Sequence, residues 1–391
     1  MSTAPTITPV GNTRLTALDT LRGLIMVLMA LDHASFFIAR VHPFEYWNMG
    51  PPHYADTGWF LTRWITHLCA PGFFFLMGTG LVYFRASRLD AGWTEARITR
   101  QLMGRGALLV VVSYLFEMAV WLMPDRFSSS GLSMNPMTGG HVPILVLTVL
   151  VTLGLTMALC APLLRLSRRS WLAMAFIAIM APNFLVPTLR GHDEAAGALM
   201  HAFVVPGFSG PVASMYPILP WFGICALGVG FAQLLRNDSQ RAMRAMLPMG
   251  LAYLVGFVGI RYGGGFGNLM RPEGGGLQSF LTVIKYPPSL AFCLLTLGIN
   301  LSLLSLIHRA GAWLDPLRRL LSVYGQAPLF FYLAHLWLFC AIRLAVFRES
   351  APDRWVLYAV WTAGLVVLYP ACAWFRRLKT ARPPESFLRL F

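Results

Sequence analysis

Arg22, Asp32 and His33 stand inside one apolar stretch, LRGLIMVLMALDHASFFIA at 21–39. Each ionisable side chain costs a few kcal/mol when it faces lipid, so a run of this length that keeps three of them reads as functional. The arginine and the histidine are eleven positions apart. That is about three helical turns, which sets them on nearly one face roughly 16 Å apart. One helix then carries a fixed cation near one membrane surface and a titratable imidazole toward the other. Imidazole suits general-base work near neutral pH, and burial beside Asp32 or Glu117 would tune it. Other apolar runs hold Arg63 and His67, Glu117, Lys285 with Tyr286, and His335. Lys285 and Arg63 have the charge to hold an anion or a developing oxyanion.

The elements that must position these groups are ten apolar segments near 16–40, 59–83, 101–123, 142–164, 170–188, 215–236, 243–262, 281–307, 319–343 and 355–375. Each is long enough to span a hydrocarbon core of roughly 30 Å. The chain is 57% hydrophobic and only 12% charged, the profile of an all-α polytopic membrane bundle. It reads as one membrane unit over 1–391. Pro182 and Pro187 are expected to kink or shorten the fifth span, and Pro287-Pro288 to break the eighth near one surface. Residues 1–13 lack the basic and apolar regions of a cleaved signal and read as a disordered lead-in, so the first span is expected to direct insertion. Residues 376–391 read as a basic tail.

A net charge of +15 would point a soluble chain toward nucleic acid. Here the arginines sit between apolar runs, so the reading is contact with anionic lipid and not with nucleic acid. Arg85, Arg88, Arg97 and Arg100, then Arg165, Arg168 and Arg169, then the tail cluster from Arg376 onward all fall on one side of a ten-span arrangement. By the positive-inside rule both termini are then cytoplasmic. The opposite connections, 41–58, 124–141, 189–214 and 263–280, are longer and rich in Gly, Pro, His and aromatics, as a surface that handles something bulky would be.

With that orientation the intramembrane polar groups share a depth. His33 lies about 10 Å from the outer end of its span, and His67 and His335 about 12 Å from theirs. Arg63, Glu117 and Lys285 fall in the same slab. The competing reading for each histidine is a hydrogen-bonded packing residue. Glu117 reads first as a counter-ion to Lys285 or Arg63, and Asp32 as pointing to a partner cation. His42, His53, His141, His192 and His201 lie in or near the outer loops and are individually uninformative, while His308 sits at a cytoplasmic helix end. His33, His67 and His335 could converge as metal ligands, but no paired-ligand spacing supports it and no metal is expected. Six cysteines fall singly in apolar runs and read as small hydrophobes.

RLTALDTLRG at 14–23 followed by an apolar helix resembles the opening of the heparan-α-glucosaminide N-acetyltransferase catalytic domain and its bacterial relatives. THLCAPGFFFLMGTGL (66–81), PILPWFGICALGVG (217–230), KYPPSLAF (285–292) and YGQAPLFFYLAH (324–335) are similar to further blocks of the bacterial branch. The Arg22–His33 spacing also fits the Arg-x10-His motif of the acyltransferase-3 group of membrane enzymes. The resemblance implies an inner-membrane enzyme that takes an acyl group, acetyl foremost, from cytosolic acyl-CoA and delivers it to a saccharide hydroxyl or amine on the far side. It implies Arg22 near the entry for CoA and His33 as base or acyl relay. Depth and charge then add Asp32, His67, His335 and Lys285 around His33, and Arg85 and Arg88 as further candidate contacts for CoA. His53, Asp56, Arg63, Glu117 and Tyr286 are then the acceptor-side residues. In the eukaryotic branch the key histidine lies just before the second helix, where this chain offers His53 and Asp56, so His33 and His53 both stand as the base. A homodimer is compatible with this reading. The rival class is a transporter or flippase that uses the same polar slab without chemistry.

Overall fold

In lipid an apolar run can satisfy its own backbone only as a helix, and every one of the ten segments is helical over most of its length. The computed structural model describes residues 10–127, 144–189, 196–274, 276–383 and 386. Helix α1 spans Val10–Ala34 and runs into a π-helical turn, Ser35–Ala39. Its first residues, 10–13, belong to the lead-in expected over 1–13, and residues 1–9 lie outside the described residues. Then follow α2 (Thr57–Thr66), α3 (Cys69–Asp90), α4 (Glu95–Val112), a π-helical turn Ser113–Glu117, and α5 (Met118–Phe127). After strand β1 (Leu145–Leu147) come α6 (Val149–Leu163), α7 (Arg168–Leu189), α8 (Ala198–Phe203), and strands β2 (Gly207–Ser209) and β3 (Val212–Ser214). The chain closes with α9 (Ile218–Asn237), α10 (Ser239–Gly263), α11 (Leu277–Leu281), α12 (Leu290–Arg309), α13 (Asp315–Gly325), α14 (Pro328–Val346) and α15 (Arg354–Thr380).

Among the described residues, nine helical stretches are long and apolar enough to cross a membrane, and the 15-residue α6 is the tenth apolar helix. The connections after α3, α6, α9 and α12 therefore gather at one end, here the basic end. The longer connections gather at the opposite end, the loop end, where β1, β3 and β2 form a small sheet. His141, His192 and much of the 124–141 and 189–214 connections lie outside the described residues.

Three spans differ in detail from the sequence reading. The second is two helices, because Pro71 cannot donate to the carbonyl of His67, and the chain turns at His67 and Leu68 before α3 begins. The ninth is likewise divided: Pro328 cannot donate to Tyr324, so α13 ends at Gly325 and α14 starts anew. The fifth, by contrast, continues through both Pro182 and Pro187 to Leu189, as membrane helices with well-packed neighbours can. The Pro287-Pro288 break is present, and α12 begins only at Leu290 with Ser289 as its N-cap.

Helix α1 is the axis of the bundle. Its spanning stretch is 83% buried, against 17% for α10, which faces outward. It packs on α2, α3, α12, α13, α14 and α15. The tightest approach is to α13, where a Cβ on Gly23 would lie 1.9 Å from the Leu321 carbonyl oxygen. The same device joins α3 to α9 through Gly78 and Gly228. All six cysteines are buried and none forms a disulfide.

Candidate active site

The polar slab divides into two clusters that share α1. The first is built around His33, whose Nδ1 lies 2.6 Å from Nε2 of His335 on α14, with the two rings nearly parallel. Trp121 and Tyr332 each present an edge to the His33 ring, at 5.4 and 6.0 Å between centroids. Behind them Glu117, carried on its π-helical turn, accepts hydrogen bonds from Ser113 (2.5 Å), Thr148 (2.9 Å) and Tyr332 (2.5 Å). Turns of this kind recur at functional positions because they re-aim side chains. Glu117 is thus held by hydroxyl donors and forms no ion pair with Lys285 or Arg63, which corrects its reading as a counter-ion.

The second cluster lies toward the loop end, around Arg63. Its guanidinium donates to both oxygens of Glu45, at 2.9 and 2.7 Å, and to Asp32 at 2.6 Å. Asp32 therefore does turn to a partner cation, and Thr66 adds a second hydrogen bond to it. Glu45 comes from the α1–α2 connection, which folds inward: Tyr286 N–H donates to the Glu45 carbonyl and Trp47 N–H to that of Tyr286. His67 Nε2 lies 3.2 Å from Glu45, and His42 Nδ1 lies 3.6 Å from Asp32. Lys285 is 3% exposed, 5.0 Å from the Tyr286 ring centroid, and its charge acts on Asp32. Two carboxylates thus face two cations, with His67 and His42 beside them.

In the connection itself, burial raises the Glu45 carboxyl pKa, but Arg63 and then His67 outweigh it and hold the group below the usual carboxylate range. Burial, and next the charge of Arg63, lower His42 from 6.5 to about 3. His33, His67 and His335 do not converge: His33 meets His335, while His67 faces Glu45. His53 is exposed, and Asp56 is occupied at the surface, capping α2 through Trp59 N–H and pairing with Arg354.

A cavity of about 310 Å³ opens at the basic end and runs inward between α1, α3, α4, α6 and α14. Arg22, Arg105, Gln326 and Lys379 line it together with an apolar wall that includes Met26, Met29 and Leu153, and Tyr332 also lines it. Arg22 is steadied by Asp19 (2.8 Å) and by the Gly325 carbonyl (3.1 Å), which the α13–α14 break exposes. The charges of Arg22 and Arg88 both act on Arg105, whose Nε has no hydrogen-bond partner. Arg85 is elsewhere, in an ion pair with Glu95. Arg88 stacks against Phe84 and Trp93.

The sequence reading missed Glu45, Tyr332, Trp121, Arg105 and the cavity role of Lys379. Tyr332 carried a signal, standing three residues before His335 and so on the same helical face. Glu45 carried a weaker one: in PFEYW it is an acid set among aromatics in a chain with 16 acids against 31 Lys and Arg.

Residues 14–261, well over half of the chain, match the catalytic family of heparan-alpha-glucosaminide N-acetyltransferase. The chain belongs to that family. No curated protein matches it. Membership of the heparan-alpha-glucosaminide N-acetyltransferase family makes this a multi-pass membrane acetyltransferase. The matched stretch holds Arg22, Asp32, His33, Glu45, Arg63 and Glu117. Lys285, Tyr286, Tyr332 and His335 come from beyond it, and the fold packs them against the matched part.

Proposed function

We propose that the protein transfers an acetyl or other acyl group from acyl-CoA, entering at the basic end, to an amine or hydroxyl of a saccharide that approaches from the loop end. With the arginine-rich connections taken as cytoplasmic, the donor comes from the cytosol and the acceptor from the far side of the inner membrane. The observation that carries this reading is the stripe Arg22–Met26–Met29–His33 on α1. Its first three members line the cavity, and the fourth adjoins Tyr332, which lines it too.

The cavity suits the donor in parts. Guanidinium groups pair well with phosphate oxygens, and Arg22, Arg105 and Lys379 line it with no acid among them. Methionines and leucines suit a flexible, weakly polar arm. In the transfer, His33 takes the proton of the acceptor N–H or O–H as that atom attacks the thioester carbonyl. The C–S bond breaks, and the departing CoA thiolate recovers the proton from His33. Asp32 and Glu45, paired with Arg63 and with Lys285 beside them, hold the acceptor side of the histidine in a fixed frame in which two carboxylates face two cations. His53 is set aside as base because it is exposed on the surface.

The test is release of free thiol from acetyl-CoA by the purified protein in nanodiscs, run against a panel of amino sugars and polysaccharides. Acceptor-dependent release that is lost in His33→Ala supports the reading. Retained release in that variant overturns His33 as base and turns attention to His53. Movement of a saccharide into liposomes without thiol release would make the protein a transporter.

A further inference from the structure

A neutral imidazole has one N–H and one lone pair, so its hydrogen bonds decide which nitrogen is basic. Nδ1 of His335 lies 2.7 Å from the carbonyl oxygen of Phe331. A carbonyl can only accept, so the His335 proton is on Nδ1 and its lone pair is on Nε2. That Nε2 lies 2.6 Å from Nδ1 of His33, so His33 donates through Nδ1. Its own lone pair is then on Nε2. His335 is fully buried, whereas His33 keeps 9% of its surface. The edges of Trp121 and Tyr332 restrict rotation of the His33 ring, and Phe331 stacks on that of His335.

We propose that His335 is a positioning residue that selects the tautomer of His33, so that Nε2 of His33, and not Nδ1, is the atom that takes the acceptor's proton. The part of His33 as base rests on the transfer proposed above; the tautomer rests on geometry alone. On taking the proton at Nε2, His33 becomes an imidazolium that still donates through Nδ1 to the lone pair of His335. His335 therefore stabilises the charge formed in the step as well as the ring state before it. The proton count is unchanged: one proton arrives from the acceptor and leaves with the thiolate. A helix-local carbonyl fills the orienting role that a carboxylate fills in other histidine-based sites.

Two variants separate this from a packing role. His335→Gln can place a carbonyl oxygen near the position of Nε2 and accept from His33, whereas His335→Phe fills similar volume with no acceptor. The expected result is a fall in kcat of about 100-fold or more for His335→Phe, with KM for acetyl-CoA little changed, and substantial recovery in His335→Gln. In parallel, ring-nitrogen NMR of histidine-labelled protein in nanodiscs reads the tautomer directly, with His33 assigned by its loss in His33→Gln. Wild type is expected to show His33 protonated on Nδ1 alone, and His335→Phe to show a shift toward Nε2–H. Equal kcat in the two variants, or a His33 signal protonated on Nε2 in wild type, overturns the proposal. If His33→Ala keeps its activity, the base assignment fails while the NMR result still decides the tautomer. If no transfer is found at all, the NMR measurement alone carries the decision.

Discussion

Arg22 and His33 stand on one stripe of α1, and the two methionines between them form part of the wall of the cavity that Arg22 also lines. The helix that supplies the imidazole therefore also supplies the cation and the path from one to the other. This arrangement separates two measurable quantities. Arg22→Ala should raise KM for acetyl-CoA by about 10-fold or more, the worth of a hydrogen bond to a charged group, with a smaller change in kcat. Arg85→Ala should leave both unchanged, because Arg85 is engaged by Glu95 and does not line the cavity. Steady-state kinetics at saturating acceptor checks both, and equal effects of the two substitutions would sink the assignment of the donor mouth.

Arg63 holds Glu45 and Asp32 together in the interior, so its removal leaves two buried carboxylates without their main partner. Breaking a buried pair in this way costs about 3–5 kcal/mol. Arg63→Met is expected to lose that much in SDS-titration unfolding. Arg63→Met combined with Glu45→Met should recover part of the loss, because one orphaned charge is gone. Additive losses in the double-mutant cycle would argue against the pair as the latch of the α1–α2 connection.

His42 faces Arg63, Asp32, Lys285 and Glu45 and packs against Phe36 and Phe44. Its pKa in the fold, about 3, lies below the unfolded value of 6.5. The unfolded chain therefore binds the extra proton between these values, and stability falls as pH drops through that window. The slope is about 1.4 kcal/mol per pH unit for this one group. His42→Phe keeps an aromatic ring in place and removes the titration. Unfolding measured at pH 7.5 and pH 5 should show wild type losing more stability than the variant. Parallel losses would mean that His42 is already protonated in the folded protein.

The spans were legible because nine of them, among the described residues, are apolar helices of membrane length and the tenth, α6, is a shorter apolar helix. The Arg22–His33 spacing was legible because helical geometry fixes it. The slab expected of His33, Arg63, His67, Glu117, Lys285 and His335 is found as two neighbouring clusters that share α1. What the sequence could not provide was the direction each side chain takes around its helix axis relative to its neighbours. That direction sends His67 to Glu45 instead of to His33, and ties Glu117 to Ser113, Thr148 and Tyr332. The inward placement of Glu45 was out of reach for another reason. This residue lies on a connection, and only tertiary pairing with Tyr286 folds that connection into the interior. The break before α14 was announced by Gly325 and Pro328, but the long apolar run masked it. The divided second span had Pro71 as its signal, and that proline falls in the first turn of α3, where proline is well tolerated.

The contact between α1 and α13 decides whether the cavity mouth forms. Gly23 sits against the Leu321 carbonyl and Gly325 against that of Asp19, so each helix approaches the other through a glycine. Arg22 and Asp19 flank this crossing, and Arg22 reaches the Gly325 carbonyl because the backbones are so close. A methyl group on Gly23 has nowhere to go, since the obstructing atom is backbone. Gly23→Ala should therefore cost about 1–3 kcal/mol as an overpacked contact and should also weaken acetyl-CoA binding by displacing Arg22. Gly104→Ala, on α4 with open space around it, is the matched control. It should stabilise slightly, by up to about 1 kcal/mol, through helix propensity. Unfolding and acetyl-CoA affinity measured on both variants give the answer, and a Gly23→Ala protein with unaltered donor affinity would show that the mouth does not depend on this crossing.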